Sequence, residues 1–250
     1  MLYTTRKFRL LLCAALLLLS SAAAHSTIQK KTSIRPEEQR EPKITPVAGA
    51  AESMKDEAKA STPRYFYEFR QPEFVVSHIK IEHDGAGRGR ITFERKNDAE
   101  AIVEPFELSP PALERVTALW GALRFLDSET NYQAAKQFPH LGTMRLRMID
   151  GKRERATEFN WTRDRDASAL INEYRRAADQ SMFVFEINLS RELQPLESPK
   201  LLTRLDSLLA RNGLSDPRQL LPLLRDLNTD ERLPLIARNH AGRLLKKIEK

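Results

Sequence analysis

The sequence predicts an α+β fold: an antiparallel sheet of about six strands packed by helices, followed by an all-helical C-terminal third. Short runs of alternating apolar and polar residues occupy positions 64–161, and a helical period of apolar residues begins after Asp166. A run of strands followed by a run of helices is typical of this class. The composition agrees, because 41% hydrophobic residues suffice for a core and 30% charged residues exclude a polytopic membrane protein.

The first 24 residues have the layout of a cleavable secretory signal. Basic residues precede an apolar stretch, and Ala22–Ala24 offers small residues for cleavage. The stretch is shorter than the roughly 20 residues that span a bilayer, although an uncleaved N-terminal membrane anchor is the alternative. The segment has three basic and no acidic residues, so its cleavage lowers the formal charge from +7 to +4. Cleavage also removes Cys13, the one cysteine of the sequence. We therefore expect an exported protein, periplasmic or secreted, with no thiol and no transmembrane span after cleavage.

Residues 25–63 are expected to form a disordered linker. They contain four prolines, many charges and no aromatic residue, a composition that buries too little apolar surface to fold. The folded part is expected to begin at about Arg64, with an α+β domain at 64–195 and a C-terminal helical subdomain at 196–250 packed on it.

Four strands are predicted between residues 64 and 108, and their short connections favour an antiparallel meander. The first strand is rich in aromatic residues. The fourth is interrupted by Pro105, which is typical of an edge strand. The four segments are Arg64–Arg70, Phe74–His83, Gly89–Arg95 and Ala101–Leu108.

A helix is predicted to follow these strands. Ser109 is a good N-cap residue, Pro110 suits the first helical position, and apolar residues recur at helical spacing as far as Leu126. This apolar stripe predicts that the helix lies against the sheet. Residues 127–138 are predicted to be a loop with a short helical piece.

One continuous helix is predicted from Leu170 to Leu193. Its apolar residues are spaced by three or four positions, and no Gly or Pro occurs before Pro195. Residues 182–189 also alternate well enough for a strand, but the unbroken stripe favours a helix.

Three further helices are predicted in the C-terminal region. The last two resemble one helix pair of a HEAT-type repeat, but a stable stack normally needs at least about three repeats. We therefore expect a helical cap on the sheet domain. The helices are Pro199–Asn212 ended by Gly213, Pro217–Leu227 capped by Asp216, and a last helix that is capped by Asp230 and runs to about Lys250.

No motif for catalysis or metal binding stands out. The glycines of the segment 84–89 join two predicted strands, whereas a phosphate-binding loop leads from a strand into a helix. His78 and His83 are five residues apart on one strand and therefore face opposite sides. We predict no catalytic residue, no metal site and no cofactor. The alternative is a hydrolase whose site is assembled from Glu82, His83, Asp127 and His140.

A hairpin supplies the candidate binding residues. The strands Leu141–Ile149 and Arg153–Trp161 flank Asp150-Gly151, a strong hairpin signal. One face of this ribbon is expected to be positive and to attract an acidic protein or an envelope polyanion. Nucleic acid is not expected, because no recognisable stacking pattern of aromatic residues is present. A solvated edge protected by charge is the alternative. The candidate binding residues are Arg145, Arg147, Arg153 and Arg155.

These observations favour a non-enzymatic binding or envelope-associated module that works through the basic hairpin and the helical C-terminus. The absence of a catalytic signature carries this hypothesis. The alternative function is a hydrolase acting on an envelope polymer.

Overall fold

The computed structural model describes residues 62–250, so Cys13, the predicted signal peptide and nearly all of the predicted linker lie outside the described residues. Within the described range the chain forms one six-stranded antiparallel sheet and five α-helices. The C-terminal part from residue 165 onward is helical. The predicted α+β class is therefore confirmed.

The strands and helices follow the predicted order. The strands are β1 (Arg64–Arg70), β2 (Val76–Asp84), β3 (Arg88–Arg95), β4 (Ile102–Glu107), β5 (Thr143–Asp150) and β6 (Arg153–Phe159). The helices are α1 (Pro110–Ala122), α2 (Arg165–Leu193), α3 (Ser198–Ala210), α4 (Leu221–Thr229) and α5 (Leu235–Glu249).

The sheet has the strand order β4-β3-β2-β1-β5-β6. β1 to β4 form the predicted meander, and β5 adds to the free side of β1. Pro105 lies in β4, which is an edge strand as predicted. This position suits proline, because an edge strand does not need every backbone N–H for pairing.

The two faces of the sheet differ in chemistry. On β1, Tyr65, Tyr67 and Phe69 are buried in the core that the sheet forms with α1 and α2. Alternate residues of a strand point to opposite faces, so the other face presents charged side chains. We call it the charged face; its members include Arg64, Glu68, Arg70, Lys80, Glu82, Arg90, Arg145 and Arg147.

Helix α1 begins as predicted and ends early. The side chain of Ser109 accepts a hydrogen bond from the Ala112 N–H, and Pro110 occupies the first turn. The predicted extension to Leu126 is wrong, because Arg124 adopts a left-handed φ of 43° that ends the helix. The short helical piece lies at Pro139–Leu141, just beyond the predicted loop.

Helix α2 runs for 29 residues and includes the ambiguous segment 182–189. The part of α2 before Phe183 contributes Leu170, Tyr174 and Met182 to the core against the sheet. Phe183 and Ile187 belong to a second core with α3, α4 and α5. One helix therefore joins the sheet to the C-terminal helices.

Three of the predicted helix boundaries in the C-terminal region are wrong. Helix α3 ends before the predicted Asn212, which has a φ of 53° and takes the left-handed position; Gly213 then donates its N–H to the Leu208 carbonyl at 2.8 Å.

The predicted caps Asp216 and Asp230 both precede turns rather than α-helices. Asp216 accepts from the Arg218 N–H at the start of the 3-10 helix Pro217–Leu220, and α4 begins only at Leu221. Asp230 caps the turn before α5 through the Arg232 N–H, and α5 itself begins at Leu235.

No helix within residues 62–250 is long and apolar enough to cross a membrane.

Candidate binding groove

The predicted hairpin forms, but its arginines are divided between the two faces of the sheet. Gly151 in the turn has a φ of 61°, the left-handed value that this turn requires. Arg145 and Arg147 of β5 lie on the charged face. Arg155 of β6 pairs with Met148, on the helix-covered face, and Arg153, two residues earlier, shares that side. The four candidate residues therefore do not form one cluster.

Arg155 holds a loop in place. Its guanidinium donates to the carbonyl oxygens of Phe125 at 2.8 Å and Thr130 at 2.6 Å. It also lies 4.7 Å from the ring centre of Phe125 and 5.5 Å from that of Tyr132. These contacts engage Arg155 within the fold and order the segment after α1.

Two of the remaining arginines of the hairpin are paired with nearby carboxylates. Arg147 pairs with Glu154 at 2.7 Å, and Arg153 pairs with Asp127 at 3.1 Å and Asp150 at 3.0 Å. Among the described residues, Arg145 has no carboxylate within 4.0 Å. Binding of an acidic protein or envelope polyanion by these arginines stays a prediction.

The four residues of the alternative hydrolase site are held apart. Glu82 pairs with Arg90 on the charged face, whereas His83 is 3% exposed on the other face. Asp127 pairs with Arg153 of β6, and β1 and β5 lie between β6 and β2. His140 is exposed at the other end of the sheet, where its carbonyl accepts from Gln71, which follows β1. These positions do not support joint catalysis.

The glycine-containing segment between β2 and β3 is a hairpin turn. The Asp84 carboxylate accepts hydrogen bonds from the N–H groups of Ala86 at 2.9 Å and Arg88 at 3.0 Å. These amides are engaged within the loop, as the hairpin interpretation requires. Within residues 62–250, no three His, Cys, Asp or Glu side chains gather as a metal site.

A large cavity of the described structure is a groove at one end of the sheet. Its volume is about 1110 Å³, and it lies between the β1–β2 connection, the segment after β6, helix α2 and the end of α3. Phe69, Ile79, Met144, Ile171 and Met182 line it with apolar surface. We call this feature the groove.

The rim of the groove carries exposed apolar side chains. Phe74 is 44% exposed, Val75 79% and Trp161 43%. Phe74 packs against Phe69, with ring centres 6.0 Å apart, and Trp161 packs edge-on against Phe138 at 5.3 Å. A group of exposed large apolar residues beside a cavity is typical of a binding surface.

Tyr67 lies at the floor of the groove. Its ring stacks on Tyr174 with ring centres 5.1 Å apart. The Tyr67 hydroxyl is buried and has no hydrogen-bond partner among the described residues. Burial raises the pKa of Tyr67 to about 12, and the positive charge of the neighbouring Arg175 opposes this rise. No N–H group of Arg175 has the geometry of a hydrogen bond to the Tyr67 hydroxyl. The floor therefore contains an unused donor.

The charged side chains around this floor include Arg175, Arg211 and Asp179. Arg175 donates to the Met144 sulfur at 3.4 Å and lies 5.6 Å from the ring centre of Phe69. Within residues 62–250, neither Arg175 nor Arg211 has a carboxylate oxygen within 4.0 Å. Partial burial raises the pKa of Asp179, and Arg211, Arg204 and Arg175 oppose that rise. The groove thus combines apolar walls with cations that lack close ionic partners.

No pattern in the sequence predicted this groove, because its residues come from several separate segments of the chain. Arg175 and Asp179 are four positions apart on α2, a spacing that is common on solvated helix faces. The one usable signal was Trp161, an aromatic residue at the end of a charged hairpin.

Fold and site together define an α+β protein with an amphipathic groove at the end of its sheet. The chain matches no model of a known protein family and no curated protein sequence.

Proposed function

We propose that the protein is an exported, non-enzymatic binding module that holds its ligand in the groove. The observation that carries this proposal is the joint presence of a cavity of about 1110 Å³ and the exposed apolar residues Phe74, Val75 and Trp161 at its rim. Ligand sites are mostly apolar concavities with a few polar groups that set orientation. The groove has this composition.

A binding role has more support than hydrolysis. The four residues considered for a hydrolase lie on different faces and at different ends of the sheet, and His83 is engaged inside the core. The lining of the groove, within the described chain, includes no histidine.

The described chain begins at a distance from the groove. Thr62 lies beside Gly85 in the β2–β3 turn, since a Cβ on Gly85 would be 3.0 Å from the Thr62 methyl carbon. The groove is at the opposite end of the sheet, where β1 ends and β2 begins. Thr62 and the groove are therefore at opposite ends of the sheet.

Anilinonaphthalene sulfonate, whose fluorescence rises on apolar surfaces, tests this proposal. The double substitution of Phe74→Ser and Val75→Ser should weaken dye binding at least about fivefold, because it removes about 1 kcal/mol or more of apolar contact. Both side chains are exposed, so the fold should be retained.

The matched control is the double substitution of Leu193→Ser and Leu196→Ser. These residues are 70% and 83% exposed and lie outside the groove. We expect unchanged dye binding. An equal loss in both double variants, or no loss in the groove variant, would contradict the proposal.

A further inference from the structure

The unused hydroxyl of Tyr67 points to a ligand with a hydrogen-bond acceptor. A buried polar group without a partner destabilises a fold, so such a group is rarely present without a reason. Tyr67 is 0% exposed and lines the groove. Arg175 beside it is exposed. Its guanidinium contacts the fold through a hydrogen bond to the Met144 sulfur and through the ring of Phe69. Its side chain can therefore turn toward a ligand and make the hydroxyl accessible.

The charges of the groove point to a ligand with one negative charge. Arg175 and Arg211 supply two positive charges and Asp179 one negative charge. Glu73 also lines the groove, but it is paired with Lys96 at 2.7 Å. One net positive charge remains, which a monoanion balances. Arginine binds carboxylates in a paired geometry that a planar head group can meet.

The walls of the groove point to an apolar body for the same ligand. Ile79, Met144, Ile171 and Met182 offer hydrocarbon and thioether surface, and Phe74 and Trp161 extend it at the rim. The open strand edges belong to β4 and β6, whereas the groove is built around the end of β1 and the start of β2. Strand-like pairing of a peptide therefore has no free edge there.

We infer that the groove binds an amphiphile with a single carboxylate head group, such as a medium-chain fatty acid. Arg175 and Arg211 bind the carboxylate, Tyr67 donates a further hydrogen bond, and the hydrocarbon chain lies along the apolar walls. This inference rests on the proposed function of the groove.

Titration calorimetry of the purified protein with decanoate, decanol and decyl phosphate tests the inference. Decanoate should bind at least about tenfold more tightly than decanol, because charge-assisted hydrogen bonds contribute about 1.5–3 kcal/mol. Arg175→Gln should remove this difference and leave the affinity for decanol unchanged. Arg243→Gln is the matched control, because Arg243 is an exposed arginine of α5 outside the groove, and it should change nothing.

The outcomes separate the inference from the proposed function. If decanoate and decanol bind with equal affinity and Arg175→Gln has no effect, the inference is overturned. Dye binding at the groove would still support the proposed binding function in that case. Tighter binding of decyl phosphate than of decanoate overturns the single-carboxylate assignment. If neither the dye nor decanoate binds, both proposals fail.

Discussion

Two stacked tyrosines, Tyr67 and Tyr174, belong to one core and differ in the hydrogen bonding of their hydroxyl groups. The Tyr174 oxygen accepts from Trp120 Nε1 at 2.9 Å and lies 2.8 Å from His83 Nε2. His83 Nδ1 faces the Asp84 carbonyl, which can only accept, so Nδ1 carries the proton. Nε2 is therefore an acceptor, and Tyr174 donates to it. The Tyr67 hydroxyl has no such partner.

This difference predicts opposite responses to the same substitution. Tyr174→Phe should lower the free energy of unfolding by about 2–3 kcal/mol, because it leaves the Trp120 N–H and the His83 ring unpaired. Tyr67→Phe should leave that free energy unchanged or raise it by about 1 kcal/mol, because it removes an unpaired group. Urea unfolding measures both values. A loss in Tyr67→Phe as large as that in Tyr174→Phe would show that the Tyr67 hydroxyl is paired.

His83 should make stability depend on pH. Burial lowers its pKa below the usual 6.5, and hydrogen bonding to the Asp84 carbonyl only partly offsets this shift. The unfolded state therefore binds the proton more readily. The contribution of neutral His83 to the free energy of unfolding should be complete above pH 6.5. It should decrease as the pH drops toward the lowered pKa, by at most about 1.4 kcal/mol per pH unit.

Urea unfolding between about pH 7 and pH 5 measures this slope. His83→Gln should flatten it, whereas the exposed control His140→Gln should keep it. A slope that is unchanged in His83→Gln would contradict the buried neutral histidine.

At the scale of elements, helix α2 determines how the molecule holds together. Beyond its part in both cores, it makes polar contacts in two directions: Glu186 pairs with Arg95 of β3 and with Arg204 of α3. The Gln180 side chain accepts from the Asp216 N–H at 2.9 Å. The sheet and the C-terminal helices should therefore unfold together.

Two probes can test this coupling. Both tryptophans, Trp120 and Trp161, lie in the sheet portion, whereas most of the helical signal in far-UV circular dichroism comes from α2 to α5. We expect the fluorescence and dichroism curves in urea to coincide, as two-state unfolding requires. A dichroism transition at a different urea midpoint would show that the helical part unfolds separately.

The elements that could be predicted are those determined by residues close together in sequence. The unbroken spacing from Leu170 to Leu193 gave α2, and Asp150-Gly151 gave the hairpin. Asp230 was predicted to cap the last helix, but a capping residue looks the same in sequence before a turn and before a helix. In the structure its carboxylate is shared between Arg191 and Arg232. The groove could not be predicted, because it depends on which strand ends and helix faces meet in space.

At the scale of the whole molecule, charge is a weaker guide to function than the sequence suggested. The arginines of the hairpin predicted one positive face, yet Arg147 and Arg153 are paired and Arg155 is engaged within the fold. Arg175 and Arg211 are the cations of the groove that have no close carboxylate among the described residues. They come from helical segments in which the sequence shows no cluster of positive charge. Pairing in the fold, rather than the number of charges, decides which cations are available to a ligand.

The start of the described chain and the groove lie at opposite ends of the sheet. Thr62 is beside the β2–β3 turn, and the groove opens where β1 ends and β2 begins.

Chemical-shift mapping of the backbone amides during a titration with decanoate tests the central claim most directly. The account predicts the largest shifts at the groove, around Phe74, Trp161 and Arg175, with little change in the hairpin at Arg145 and Arg147. Largest shifts in the hairpin, or shifts spread evenly over the molecule, would contradict the claim that the groove is the binding site.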